Sequence, residues 1–571
     1  MKKGSISLNR FMFVVVLAGF LVLSACSSNS SNSGNSGGNE AETPGANTAQ
    51  NNSEALQVIE SENAVKDGKY DPPITLTTVR TQENTVKFTD GDSIQNNVWT
   101  RAYEEEYGIK VKTLWAVDSS QIDQKMNLTI ASGDIPDFFR VNATQFKQLA
   151  EAGMLADLSE VYNEYASERV KSLLTEEGTM ALDSATIDGK LMAIPFTNPS
   201  REGSQMVFIR TDWLDALKLP EPKTMDDLMK ISEAFSTQDP DHNGKQDTFG
   251  LAVDKDFMLL NGFFNSFHAY PDIVVKDSDG NLTFGATRSE MKSALAKLNE
   301  MFKSKQIDPE FGAKDITKVF EMIANGKIGM MYYAYYAGLY PLQAAKDKDP
   351  SMEWKAFPIM SVDGNPAKSQ VSLGVNSYWV VKKEVEHPEA ILKMLDFWVK
   401  TFYENTSDEI YQKFNTAPED GNQVWLLNNM AAYKAFKNIE ESLRIINALE
   451  TNETSKLTPE DKGVYEKILK FQSGDLTNWS WNLIFSKGQA LSVSNYYRTN
   501  NLYMNDEFST SPLESIVQNA PALSKLQAET FTKIILGLSP IEEFDTFVKR
   551  WLELGGNEIL ADVNEWYKTK K

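Results

Sequence analysis

Two hexapeptides decide the fold: Ile74-Thr75-Leu76-Thr77-Thr78-Val79 and Ile109-Lys110-Val111-Lys112-Thr113-Leu114. Both read as strands, and the second alternates apolar and polar residues with a period of two. Between them a helix carries Val98, Ala102 and Tyr103 and stops at Gly108. A second helix has Ile122, Met126 and Ile130 four residues apart on one face and ends at Ser132-Gly133. Pro136 bars its continuation before the short strand Phe138-Phe139. Strand, helix, strand, helix, strand predicts a parallel sheet with right-handed crossovers. That is an open α/β lobe whose ligand groups stand beyond the carboxyl ends of its strands.

The same pattern continues outward. Met206-Val207-Phe208-Ile209 reads as a strand before the Trp213 helix, and Thr224 opens a helix with Asp226 and Asp227 in its first turn, where the helix dipole favours acids. Ser377 to Val381 is apolar enough for a strand buried on both faces. Pro388 stands where a first helical position is expected, before Ala390 to Val399. The last third is mostly helical, without an internal repeat.

The chain has 571 residues, with 57 Lys+Arg against 79 Asp+Glu, three His and one Cys. A net charge of −22 opposes binding to nucleic acid, which requires a basic field. One cysteine excludes a disulfide scaffold, and His242, His268 and His387 are too scattered for a zinc triad. The amino end supplies the cysteine's meaning. Lys2, Lys3 and Arg10 precede an apolar run from Phe11 to Leu23, too short to span a bilayer, followed by Ser24-Ala25-Cys26. Residues 1–25 read as an export signal. Leu23-Ser24-Ala25-Cys26 resembles the bacterial lipobox, which implies cleavage before Cys26 and its acylation. Loss of three cations and no acids takes the mature chain from −22 to −25. Residues 26–70 then form the acylated cysteine and a flexible linker; its Ser, Asn and Gly-rich part of about 27 residues has an r.m.s. span of roughly 30 Å.

A series of short stretches carries a resemblance: Ala131-Ser132-Gly133-Asp134-Ile135-Pro136-Asp137, Gly153 to Leu158, Gly189-Lys190-Leu191 with Ala193-Ile194-Pro195, Ile209 to Leu214, Asp239 to Gly250, Gly326 to Met330, and Val380 to Lys383. In this order the chain resembles the extracellular solute-binding proteins that feed ABC sugar importers, in their large Gram-positive lipoprotein branch. The resemblance implies a two-lobed type II periplasmic-binding-protein-like fold with an interlobe hinge and a helical C-terminal part. It allots residues 71–196 and 355–402 to the first lobe and 197–354 and 403–571 to the second. It implies a monomer tethered to the outer face of the cytoplasmic membrane. Such a protein captures carbohydrate without chemistry by closing its hinge, and presents the closed form to membrane permease subunits.

Asp239-Pro240-Asp241-His242-Asn243-Gly244-Lys245-Gln246-Asp247 puts oxygen-bearing side chains at positions 1, 3, 5 and 9 and Gly at 6, the spacing by which a loop wraps Ca²⁺. Lys245 offers its carbonyl at position 7. Gly250 replaces the glutamate expected at position 12, so Thr248, a bidentate Asp247 or water completes the set. The bland reading is an Asx-turn surface loop.

A sugar cleft needs polar groups for hydroxyls and aromatic rings for C–H faces. Tyr335 and Tyr336 follow the Gly326 to Met331 strand, where the resemblance implies cleft aromatics. Trp379 alternates with Tyr378 and reads equally as cleft or core, and Trp479 or Trp481, in an apparent loop, is a further candidate. Gln82, Arg140 and Asn142 follow strands of the first lobe, and Arg201, near a crossover, can fork onto hydroxyls or a uronate. The rival readings are a secreted glycoside hydrolase or lyase, for which no carboxylate pair stands out, and a surface lipoprotein or sensor partner without transport.

Overall fold

The computed structural model describes residues 64–569 apart from 67, 84–85, 89–90, 405–406, 417–421 and 511–512. The export signal, Cys26 and most of the linker lie outside the described residues. The principal elements are β1 (Ile74–Thr81), α1 (Val98–Tyr107), β2 (Ile109–Val117), α2 (Ile122–Ser132), β3 (Phe138–Val141), α3 (Ala143–Glu151) and β4 (Ile194–Thr197). They continue with β5 (Met206–Arg210), α4 (Met225–Thr237), β6 (Phe249–Leu251), β7 (Ile328–Tyr333), β8 (Trp354–Phe357), β9 (Val375–Val381) and α5 (Ala390–Val399). The remainder is mostly helical and includes α6 (Lys437–Thr451), α7 (Trp479–Phe485) and α8 (Glu514–Ile535).

The predicted punctuation is present. Gly108 ends α1 at φ +67°, and Asn97, which the sequence reading did not single out, caps its start in a reciprocal box with Thr100. A Cβ at Gly108 would also lie 2.3 Å from the Tyr70 carbonyl oxygen, so only glycine fits. β1 and β2 are parallel, with Ile74 opposite Ile109. The expected all-parallel continuation fails at β3, which pairs antiparallel with β9; β4 pairs antiparallel with the other edge of β9. A side chain links β3 to β1 instead. Asp137 accepts from the N–H (2.7 Å) and hydroxyl (2.8 Å) of Thr77, and its own N–H donates to that hydroxyl, so a carboxylate bridges β1 and β3 where a ladder was expected. The second sheet runs β6, β7, β5, β8, with only the β6 and β7 pair parallel. Central strand β5 is buried along its whole length, as are Tyr378 to Val381 of central β9.

Two cores result. One gathers apolar side chains from Tyr70 to Ile194 and again from Tyr378 to Ala432; the other gathers those from Met206 to Val371 and from Ala435 to Val563. The chain therefore passes between cores near residues 194–206, 371–378 and 432–435. This differs from the lobe limits expected at 354/355 and 402/403. Residues 357–371 pack in the second core because β8 is an edge strand on β5. Residues 427–432 pack in the first because the indole N–H groups of Trp379 and Trp398 donate to the carbonyls of Ala431 (2.9 Å) and Ala432 (2.8 Å).

Candidate functional site

Beyond the carboxyl end of β7 lies a cavity of about 770 Å³ lined by Met258, Phe264, Phe284, Tyr333, Tyr336 and Trp551, with Gln205, Asp256, Asn261, Asp272 and Lys525 among them. Two of its rings, Tyr333 and Tyr336, pack edge to face with centroids 5.2 Å apart. Asp272, Gln205 and Asn261 also line an adjoining cavity of about 220 Å³ with Ser369 and Gln370. Asp272 and Phe284 line a third, of about 650 Å³. That third cavity takes Ala143, Val375 and Tyr378 from the first core's side and Val274, Asp506 and Phe508 from the second's, so it lies between the cores.

The polar groups here are fixed before any ligand arrives. Asp272 accepts from Asn261 Nδ2 (2.7 Å) and Gln370 Nε2 (3.2 Å); the protein crowding around it raises its carboxyl above the usual range, and the two amides oppose that rise. Asp506 accepts from the N–H groups of Val274 (3.1 Å) and Phe508 (3.0 Å), and burial still pushes it up to about 6. Gln205 is held at both ends, donating to the Met258 carbonyl and accepting from Gly262 N–H.

The first core presents a smaller cavity, about 120 Å³, lined by Arg140, Phe196, Trp379, Trp425, Asn429 and Tyr433, with Arg80 and Glu83. The Arg140 guanidinium stands 4.5 Å from the Phe196 ring centroid and 5.8 Å from that of Trp379. Desolvation lowers its pKa. Asn429 is buried here with neither side-chain amide atom hydrogen-bonded to protein. Arg80, by contrast, is committed to the carbonyls of Leu426 and Leu427.

The structure brings together some sequence candidates and scatters others. Arg140 and Trp379 share a cavity, with Trp379 also in the core at 9% exposure. Gln82 is exposed at the end of β1, between Thr81 and Glu83 of that cavity's lining. Asn142 caps α3 in a box with Gln145 and donates to Asp123. Arg201 is ion-paired with Glu177, donates to Asn505 (2.9 Å) and lies over the Tyr503 ring, tying segments together. Tyr336 lines the large cavity, whereas the Tyr335 hydroxyl accepts from Asn438 while its ring packs on the second core. Trp479 and Trp481 begin α7, which corrects the loop reading. Trp479 is 2% exposed with its indole donating to Glu353, and Trp481 stacks on Phe485 under Lys467, away from the cavities. Asp272, Asn261, Gln370 and Asn429 went unseen. Pro271-Asp272 signals a turn, and nothing local marks an acceptor.

In the Asp239 to Asp247 loop, Gly244 takes φ +77° and the Asp239 carboxylate accepts from the N–H groups of Asn243 (3.1 Å) and Gly244 (3.0 Å). Asn243 Nδ2 bridges Asp241 (2.6 Å) and Asp247 (3.0 Å), and Lys327 holds Asp247 at 2.6 Å. Lys327, then Asn243, pulls the Asp247 carboxyl below its usual range; burial, and contact with Asp239, pushes that of Asp241 up. Among the described residues no three acidic, histidine or cysteine side chains converge as a metal cluster. The donor set nevertheless fits a hard cation, and Asp241 Oδ1 is buried without a protein partner. Thr248 does not fit: its hydroxyl is buried and donates to the Phe235 carbonyl.

The model for the bacterial extracellular solute-binding proteins matches residues 99–401. The polygalacturonan/rhamnogalacturonan-binding protein YtcQ of Bacillus subtilis is 25% identical over 465 residues, 80% of this chain and 85% of that protein. The lipoprotein LipO of the same organism is 24% identical over 495 residues, 82% and 89% of the two chains. Among solved structures, the ABC-transporter substrate-binding protein FusA of Streptococcus pneumoniae in complex with kestose superposes with a TM-score of 0.57 at 17% identity, over 87% of this chain and 99% of that one. A FusA EF-hand mutant in complex with fructo-nystose gives 0.56 at 16% identity, over the same shares.

Proposed function

Because the chain belongs to the bacterial extracellular solute-binding proteins and has a type II periplasmic-binding-protein-like fold, we propose that it captures an oligosaccharide for an ABC transporter. Its two cores form two lobes, joined at residues 194–206, 371–378 and 432–435, that close on the ligand. The observation that carries this reading is the set of cavities meeting at Asp272, where aromatic rings stand beside a carboxylate already oriented by two amides. Rings take the C–H faces of sugars, and fixed acceptors take their hydroxyls. The sugar-binding relatives support the carbohydrate class.

The proposal includes the anchor. Cleavage before Cys26 and acylation tether the monomer outside the cytoplasmic membrane beside its permease subunits, and the lipoprotein relative supports this. It also includes a structural Ca²⁺ that would draw in Asp239, Asp241, Asn243, Asp247 and the Lys245 carbonyl and neutralise the three carboxylates this loop carries. Thermal unfolding of the purified chain with a panel of oligosaccharides tests the function. The expected result is a raised melting temperature with one glycan that is recovered intact. New reducing ends, or no shift with any glycan, would refute it.

A further inference from the structure

The charge around the cavities that meet at Asp272 is one-sided. Among the described residues lining them, Asp256, Asp272 and Asp506 face a single cation, Lys525. None of the described arginines that could receive an acidic sugar lines these cavities. Arg201 is ion-paired with Glu177, Arg80 donates to two backbone carbonyls, and Arg140 faces the separate 120 Å³ cavity, where Glu83 shares the lining. What orients Asp272 is a pair of neutral carboxamides, Asn261 and Gln370, and what orients Asp506 is two backbone N–H groups. Neither arrangement cancels the negative charge.

The chemistry of this wall selects by charge. A carboxylate fixed by two amide donors keeps lone pairs that a sugar hydroxyl can meet with its O–H, forming a charge-assisted hydrogen bond. A uronate brings a second carboxylate and no additional donor, and beside the solvent-exposed carboxylates of Asp272 and Asp256 it meets charge of its own sign. We infer that the ligand of this cleft is an uncharged oligosaccharide and that Asp272 is the residue that rejects an acidic one. This rests on the carbohydrate reading above.

Titration calorimetry on the purified full chain separates the two claims. The neutral probes are trisaccharides of glucose, galactose, mannose, xylose and fructose; the acidic probes are trigalacturonate, trimannuronate and a glucuronate-containing trisaccharide. The expected result is that a neutral probe binds and every acidic probe is at least about tenfold weaker. An acidic probe within tenfold of the best neutral one overturns the inference and leaves the carbohydrate reading standing. Binding by no probe overturns both. Asp272→Asn keeps the size of the side chain. With an unchanged melting temperature it should narrow the gap between neutral and acidic probes about tenfold. An unchanged gap removes Asp272 from the role. If the amide variant unfolds early, Asp272→Ser is read by the same criterion.

Discussion

Two acidic regions of this molecule hold their carboxylates in different ways. In the Asp239 to Asp247 loop the carboxylates are neighbours in sequence and lie near the surface, and Lys327 and local amides hold them. At the junction between the cores the carboxylates come from far apart. Glu202, from the first crossing and 0% exposed, accepts from Asn438 Nδ2 (2.6 Å) and the Ile439 N–H (2.9 Å) at the start of α6, just after the third crossing. Glu176 accepts from the Ala435 N–H of that same crossing. A carboxylate's pKa follows its partner and burial. Lys327 pulls Asp247 down, whereas burial pushes Glu202 up to about 7 despite its hydrogen bonds.

The largest expected effect lies at the junction. Glu202 is raised above its unfolded value, so its contribution to stability is full below about pH 4.5 and is lost as pH rises to about 7. Glu202→Gln keeps the acceptor oxygen and removes the titration. Between pH 5 and 7.5 the wild type should lose about 2–3 kcal/mol more unfolding free energy than the variant, measured by denaturant melts at each pH. Parallel pH curves would erase the contrast between the two regions. In the loop the expected effect is smaller and depends on Ca²⁺. With Ca²⁺ at about ten times its Kd, binding adds roughly 1.4 kcal/mol, and Asp241→Ala should bring the melting temperature in Ca²⁺ down to that of the wild type in chelator. A wild-type melting temperature indifferent to chelator would make the loop an ordinary Asx turn.

The same contrast explains what could be read in advance. β1, α1, β2 and α2 were legible because period and stop signals lie within a few residues, as at Gly108 and Gly133. The reversal at β3 was hidden because its partner β9 enters the sheet from more than 200 residues further along the chain. Arg140, read from its place after a strand, and Trp379, read equally as cleft or core, line one small cavity. Asp272 was missed because Asn261 and Gln370, which make it an oriented acceptor, lie 11 and 98 residues away in sequence. Trp479 and Trp481 misled because two tryptophans among polar residues look like a loop, yet they pack as the first turn of α7.

The central claim is that one glycan is held between the two cores. A crystal structure of the chain with its bound oligosaccharide tests it most directly. The account predicts sugar rings against the Tyr333 and Tyr336 wall, a hydroxyl on the Asp272 carboxylate, and contacts to the first-core residues Val375 or Tyr378. A glycan bound on one lobe alone, with the cavities at Asp272 empty, would contradict it.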